Sequence, residues 1–275
     1  MRYILSFFVF SCTLVLSAQT ADYAQWVRRS ANYVEANKVD SAAYALQQAM
    51  SVDPANPQNP FLLMNLGLMQ QEMRLLDDAY LSLSASLMNN PDSIVVLHCR
   101  AALLCDMGRY DEAMDDYNSI LNTKDSDIEA HYRRGLLFLE KNDRVKAEAD
   151  FAAADNIDPQ NVFSRLSKAL LYKLDDNWDA AEKIYTELIR KEKGAVSGYY
   201  MNRAECYVNT GQLSKASVDL RNVEAYEKDN PYFYFLQGRI RLSQYDKLAA
   251  KEDFEKAKRL GYDEVIADEW IAKCK

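Results

Sequence analysis

The sequence predicts an all-α fold made of stacked helical hairpins, and two phased patterns carry that expectation. Alanine recurs at Ala42, Ala79, Ala113, Ala147, Ala181, Ala216 and Ala250, in steps of 37, 34, 34, 34, 35 and 34 residues. A second small residue keeps the same steps, at Ser30, Gly67, Ala101, Gly135, Ala169, Ala204 and Gly238. Two independent positions in one phase define seven repeats, near 23–56, 60–93, 94–127, 128–161, 162–195, 197–230 and 231–262. A polar-backed closing helix is expected over 263–275. A third observation agrees: only 8 Gly and 6 Pro occur in 275 residues, mostly at the turns this phasing needs, leaving no linker.

The stretch Ile128 to Asn161 is the clearest single unit. Gly135 and Ala147 let two helices approach closely, and Phe138 and Phe151 fill the space beside them. Asn142-Asp143 breaks the helical run, and Pro159 cannot continue the second helix. This order of bulky, small and aromatic positions, closed by proline, resembles the tetratricopeptide repeat (TPR). The resemblance spans almost the whole chain after residue 20. It implies a right-handed α-solenoid, one domain over 19–275 that grows by stacking, and it leaves function open.

Each element then has a reason. The first repeat offers Trp26 and Tyr33, then Ala42, Leu46 and Ala49; its Arg29 and Ser30 depart from the usual pair, as a terminal repeat can. Asn56-Pro57-Gln58-Asn59 lengthens the next turn. Repeat two places Leu63, Leu66 and Gly67 against Ala79 and Leu83, and repeat three uses Leu97, Ala101 and Leu104, a Gly108-Arg109-Tyr110 turn, then Ala113 and Tyr117. Repeat five sets Ala169 and Tyr172 against Ala181 and Tyr185. Gly194 adds one residue before repeat six, which has Tyr200, Ala204, Tyr207 and Ala216. In repeat seven Tyr234 and Gly238 face Ala250, Phe254 and Ala257, and the closing helix presents Val265, Ile266, Trp270 and Ile271.

Residues 1–20 stand apart. Arg2 precedes an apolar run from Tyr3 to Leu16, and Ser17-Ala18-Gln19-Thr20 supplies small residues, the pattern of a secretory signal over 1–18 cleaved after Ala18. The run is short for a membrane anchor, and Phe10 fits poorly before Cys12 as a lipidation signal. The chain is expected to be exported to a bacterial periplasm without strong membrane association. Losing Arg2 takes the net charge from −8 to about −9, and a pI near 5.0 argues against nucleic-acid partners. Export would permit disulfides. Yet Cys99 and Cys105 sit six residues apart on one helix, about 9 Å along its axis, too far to bridge, so the cysteines read as small apolar residues.

No Walker loop, dinucleotide turn or nucleophile elbow occurs, so no catalytic residue, metal or cofactor is expected. His131 takes the first bulky position of its repeat and reads as a half-buried packing residue, while His98 points to the other face. His98-Cys99 are adjacent, which is not ligand spacing on a helix. Asp115-Asp116 and Asp175-Asp176 read as solvated surface or turns rather than an acid–base dyad.

One asymmetry remains. At about 100° per residue, positions 4, 7, 8 and 11 of each first helix face the second helix, while 2, 5, 9 and 12 lie opposite. That opposite side is largely apolar, and by the TPR resemblance it lines a concave groove. The groove would be built from Met64, His98, Tyr132, Phe163, Leu166, Met201, Tyr232 and Phe235. Asn65, Arg133 and Asn202 stand beside them at position 6, with Glu205 and Arg239 at position 9. Either adjacent first helices cover these residues, or a peptide or partner helix does. With no lysine at position 5, a carboxylate clamp is not expected. The sequence thus points to a non-enzymatic scaffold for a protein or peptide partner, with self-stacking through the terminal repeats as the alternative.

Overall fold

The computed structural model describes residues 21–191 and 196–275; the expected signal segment and the extra residue at Gly194 lie outside them. The first repeat pairs α1 (Ala21–Glu35) with α2 (Val39–Val52), and the second pairs α3 (Asn59–Glu72) with α4 (Leu76–Asn89). The third joins α5 (Ile94–Asp106) to α6 (Tyr110–Thr123), and the fourth α7 (Ile128–Glu140) to α8 (Arg144–Ile157). Then come α9 (Val162–Leu174) with α10 (Trp178–Lys191), and α11 (Ser197–Asn209) with α12 (Leu213–Val223). A last pair, α13 (Pro231–Ser243) and α14 (Lys247–Arg259), precedes α15 (Glu264–Ala272). Among the described residues there is no strand. The fold is an all-α solenoid of helix-turn-helix repeats, and two compact units divide it between Asp150 and Phe151, inside α8.

Local chemistry sets the helix ends. Asp127, Asn161, Asn230, Asp246 and Asp263 each accept a backbone N–H from the first turn of α7, α9, α13, α14 and α15, a cap worth about 1 kcal/mol. Every hairpin turn carries one residue with positive φ: Asn37, Arg74, Gly108, Asn142, Asp176, Gly211 and Tyr245, between 55° and 76°. The next N–H donates back five residues, from Lys38 to the Tyr33 carbonyl in the first repeat and from Asp246 to that of Arg241 in the last. That closure satisfies carbonyls the helix end would leave orphaned.

The phased small residues are the contact points. All seven alanines of the second helices are 0% exposed. A methyl group on Gly67 would meet Leu83 Cγ at 2.8 Å, and one on Gly238 would meet Phe254 Cε1 at 2.6 Å. In the N-terminal unit, Ala42, Leu46, Leu62 and Met69 form one cluster, and Leu83, Leu97, Ala101, Tyr117 and Leu137 belong to another. In the C-terminal unit, Ala169, Tyr185 and Leu188 pack together, as do Ala204, Leu220 and Leu236, and Phe235, Phe254 and Ala257. From α15, Trp270 and Ile271 join that last cluster, but Val265 and Ile266 stay 69% and 41% exposed. The closing helix therefore uses only half of the apolar face its sequence offers.

Candidate interaction surface

In the N-terminal unit the free sides of α3 and α5 present apolar groups to solvent. Phe61 and Val95, both at position 2, are 65% and 62% exposed. Met64, Asn65 and Leu68 beside them are half-buried. His98 is also half-buried and held: its Nε2 lies 3.1 Å from Asp127 Oδ1 and its ring tilts against Tyr117. Burial would raise Asp127, but the Ala130 N–H, His98 and Lys124 outweigh it and keep the carboxyl below its usual range. Tyr132 and Arg133 on α7 are half-buried, and Arg133 Nε donates to Glu129 at 2.6 Å.

The C-terminal unit differs. Phe163 and Leu166 are half-buried on α9. Met201 and Phe235, expected to line a groove, are 4% and 5% exposed and belong to the core. The reason for Phe235 is Tyr262, which follows α14 and stacks on the ring at 4.2 Å, while Trp270 meets its edge at 5.7 Å. Tyr232 stacks on both Phe235 and Tyr262. Burial and the nearby Glu205 charge push its hydroxyl far above the ordinary tyrosine range. Lys173 pairs with Glu205 and donates to Asn202 Oδ1 at 2.8 Å. Arg239 donates to Asn209 at 2.9 Å and lies over the Trp270 ring.

Behind these faces runs a recurring clamp. Arg100, Arg134 and Arg203, at position 7 of their repeats, each give Nε and Nη2 to an aspartate at position 23: Asp116, Asp150 and Asp219. The third nitrogen of each, Nη1, reaches back to the preceding repeat, to Ser84 at 3.3 Å, Asn118 at 2.8 Å and Thr186 at 3.0 Å. Each guanidinium therefore ties three helices together.

The tetratricopeptide repeat family model matches residues 128–161. A solved tetratricopeptide repeat protein from Parabacteroides merdae superposes with a TM-score of 0.71 at 32% identity, covering 92% of this chain and 98% of that one. The chain belongs to the tetratricopeptide repeat family.

Other tetratricopeptide repeat comparisons reach further. The structure of the APC/C hetero-tetramer Cut9-Hcn1 aligns with a TM-score of 0.67 at 10% identity, over 86% of this chain and 52% of that one, which speaks to the fold alone. "DnaJ homolog subfamily C member 3" of Gallus gallus is 25% identical over 184 residues, 60% of this chain and 35% of that protein. The chain thus spans about a third of the length of the curated relatives it matches. A TPR scaffold supports a role in protein–protein interaction, and proteins of the family are generally non-enzymatic.

Within the TPR repeats one reading of charge needs correction. Asp116, expected on the solvated surface, is 3% exposed, because Arg100 brings it a matched partner. His131 is half-buried as expected, but by polar contacts: Nδ1 lies 2.9 Å from Asp150 Oδ1 and Nε2 2.9 Å from the Asp125 carbonyl. The missed signal was an arginine at position 7 with an aspartate sixteen residues on, repeating in the phase of the alanines. Lys173 and Tyr262 were missed because no local pattern marks them. Among the described residues the four cysteines are free and no group of three His, Cys, Asp or Glu could hold a metal ion. No helix of the described chain is long and apolar enough to cross a membrane.

Proposed function

We propose that this protein is an exported, non-enzymatic scaffold of a bacterial envelope that holds a protein partner, as an extended peptide or a helix, against the free sides of its first helices. The observation that carries the reading is the pair Phe61 and Val95: the same position in neighbouring repeats, apolar, and 65% and 62% exposed. Apolar side chains so exposed in register offer an anchor to an amphipathic partner. The half-buried Asn65, Arg133 and Asn202 stand beside such positions to meet a partner's polar groups. Export rests on the apolar run from Tyr3 to Leu16 and the small residues after it, and the bacterial setting on the Parabacteroides merdae relative.

A photo-crosslinking residue at position 61 or 95 of the full chain, in its native envelope, is expected to trap one and the same polypeptide. The control is position 44, where Tyr44 is 55% exposed on α2, a second helix. F61E and V95E should abolish that capture while leaving helicity and Tm unchanged. Capture equal at 44 and 61, or undiminished in F61E, overturns the surface assignment. Sequencing of the mature N-terminus tests export separately, with Gln19 as the expected first residue.

A further inference from the structure

Four repeats carry a buried aspartate at position 23, but only three give it a guanidinium at position 7. In the last repeat Gln237 stands at position 7, and Asp253, 6% exposed, is met instead by Arg241 from one turn further along α13. Arg241 offers a single nitrogen, Nη1, at 2.9 Å, where Arg203 gives Asp219 both Nε and Nη2 at 2.7 Å. The same nitrogen also lies 2.9 Å from Asp253 Oδ2, so one N–H group is shared between both oxygens, and the buried Oδ2 accepts no aligned hydrogen bond of its own. The reach to the preceding repeat is missing as well. Position 25 of α12 is Arg221, not a Ser, Asn or Thr, and a cavity of about 190 Å³ opens between α12 and α13 beside Gln237, Ile240 and Arg241.

We propose that the last hairpin is a proton-responsive joint, in which Asp253, lacking the two-toothed arginine of the other clamps, takes up a proton in mildly acidic surroundings and tightens α13 and α14 against each other. A buried carboxylate with one hydrogen-bonded oxygen is costly to keep ionised. Protonation removes that cost only while the hairpin is closed. The charged groups around it are few. Arg241 faces it from α13 and Glu252 and Lys256 flank it on α14, α12 brings Arg221 and Glu224 to the cleft beside Arg241, and the α15 residues packed nearby, Trp270 and Ile271, are uncharged. Burial pushes the carboxyl up to about 6, against the pull of Arg241.

The sign follows from proton binding. A carboxyl whose closed-state pKa lies above its open-state value binds protons on closing, so closure is weakest above about pH 6 and strengthens as pH falls toward 4. Neither histidine lies in this unit to confuse the window.

Hydrogen exchange of the α13 and α14 amides in the full chain, corrected for intrinsic rates, reads the opening equilibrium directly. Between pH 7.5 and 5.0 the opening constant is expected to fall at least several-fold, up to about ten-fold. D253N should show the same low opening at both pH values. Q237R combined with R221S rebuilds the three-helix clamp and should also abolish the dependence, by keeping Asp253 ionised whether the hairpin is open or closed. Equal opening in the wild type at both pH values, or a dependence that survives in either variant, overturns the proposal.

Discussion

Arg134 and Asp150 lie in a two-toothed ion pair inside the fourth repeat, with Nε and Nη2 of the arginine 2.8 and 2.7 Å from the two carboxylate oxygens. Asp150 is only 6% exposed on its side chain, and Arg134 Nη1 continues to Asn118 of the repeat before. Deleting Arg134 therefore leaves the buried carboxylate to the His131 ring, whose Nδ1 lies 2.9 Å from Oδ1. R134A is expected to destabilise the N-terminal unit by about 3 kcal/mol in urea melts, whereas R134M with D150L together should cost far less. Additive losses in that double-mutant cycle would mean the pair is not coupled.

The same aspartate gives the protein a second pH response, of the same sign as that at Asp253, since both groups bind protons more tightly in the folded chain. The bond to Asp150 raises the His131 pKa above its ordinary 6.5, against the effect of burial. A raised histidine pKa contributes stability that is fully present below about 6.5 and is lost as pH rises through the folded value. Wild-type stability should thus decline from pH 6 to pH 8, and H131N should flatten that decline. An NMR titration placing the His131 midpoint below 6.5 would contradict the bond.

Gly238 is required by Phe254. A Cβ there would lie 2.6 to 2.9 Å from three ring atoms, and the ring is 0% exposed and boxed by Phe235 and Trp270. Alanine would gain about 1 kcal/mol of helix propensity, yet overpacking costs about 1–3 kcal/mol. G238A is therefore expected to lower Tm, and G238A with F254L to recover part of the loss. A higher Tm for G238A would show that the ring can move.

Phe235 and Phe61 separate core from surface. F235A should cost about 3–5 kcal/mol, as for a buried aromatic in a close-packed site, because Tyr262, Phe254 and Trp270 all rest on it. F61A, at a side chain 65% exposed, should stay within about 0.5 kcal/mol of the wild type. Chemical denaturation of both variants measures the contrast directly.

What the sequence disclosed depends on whether a signal recurs. The small residues were legible because one steric demand, two backbones meeting, is made in every repeat, from Ser30 to Gly238 and from Ala42 to Ala250. Turns were legible where Gly108 and Gly211 take positive φ, and hidden at Arg74 and Tyr245, where the hydrogen bonds of the turn impose φ of 63° and 65° on unsuited side chains. The surface was half legible: periodicity tells which way Met201 and Phe235 point, but not that neighbours such as Tyr262 will cover them. Lys173 meets Glu205 across 32 residues, a contact only stacking can create. The arginine clamps did repeat, but charge on a helix suggests solvent until its partner is found.

The clamp also gives the hairpins a direction and a grammar. Each of the second, third and fifth repeats holds up an acceptor, Ser84, Asn118 or Thr186, for the guanidinium of whichever unit comes next. Repeat five arrives with Lys168 and Ile184, and the helix before it shows Ala152, so all three terms of the bond are missing together. Unit three has both parts, the Arg100–Asp116 plug and the Asn118 socket, so it could be duplicated with every joint still matched. Units four and six have the plug but show Ala152 and Arg221 where the socket would be. A chain lengthened by copying repeat five would gain a joint with nothing to fasten it.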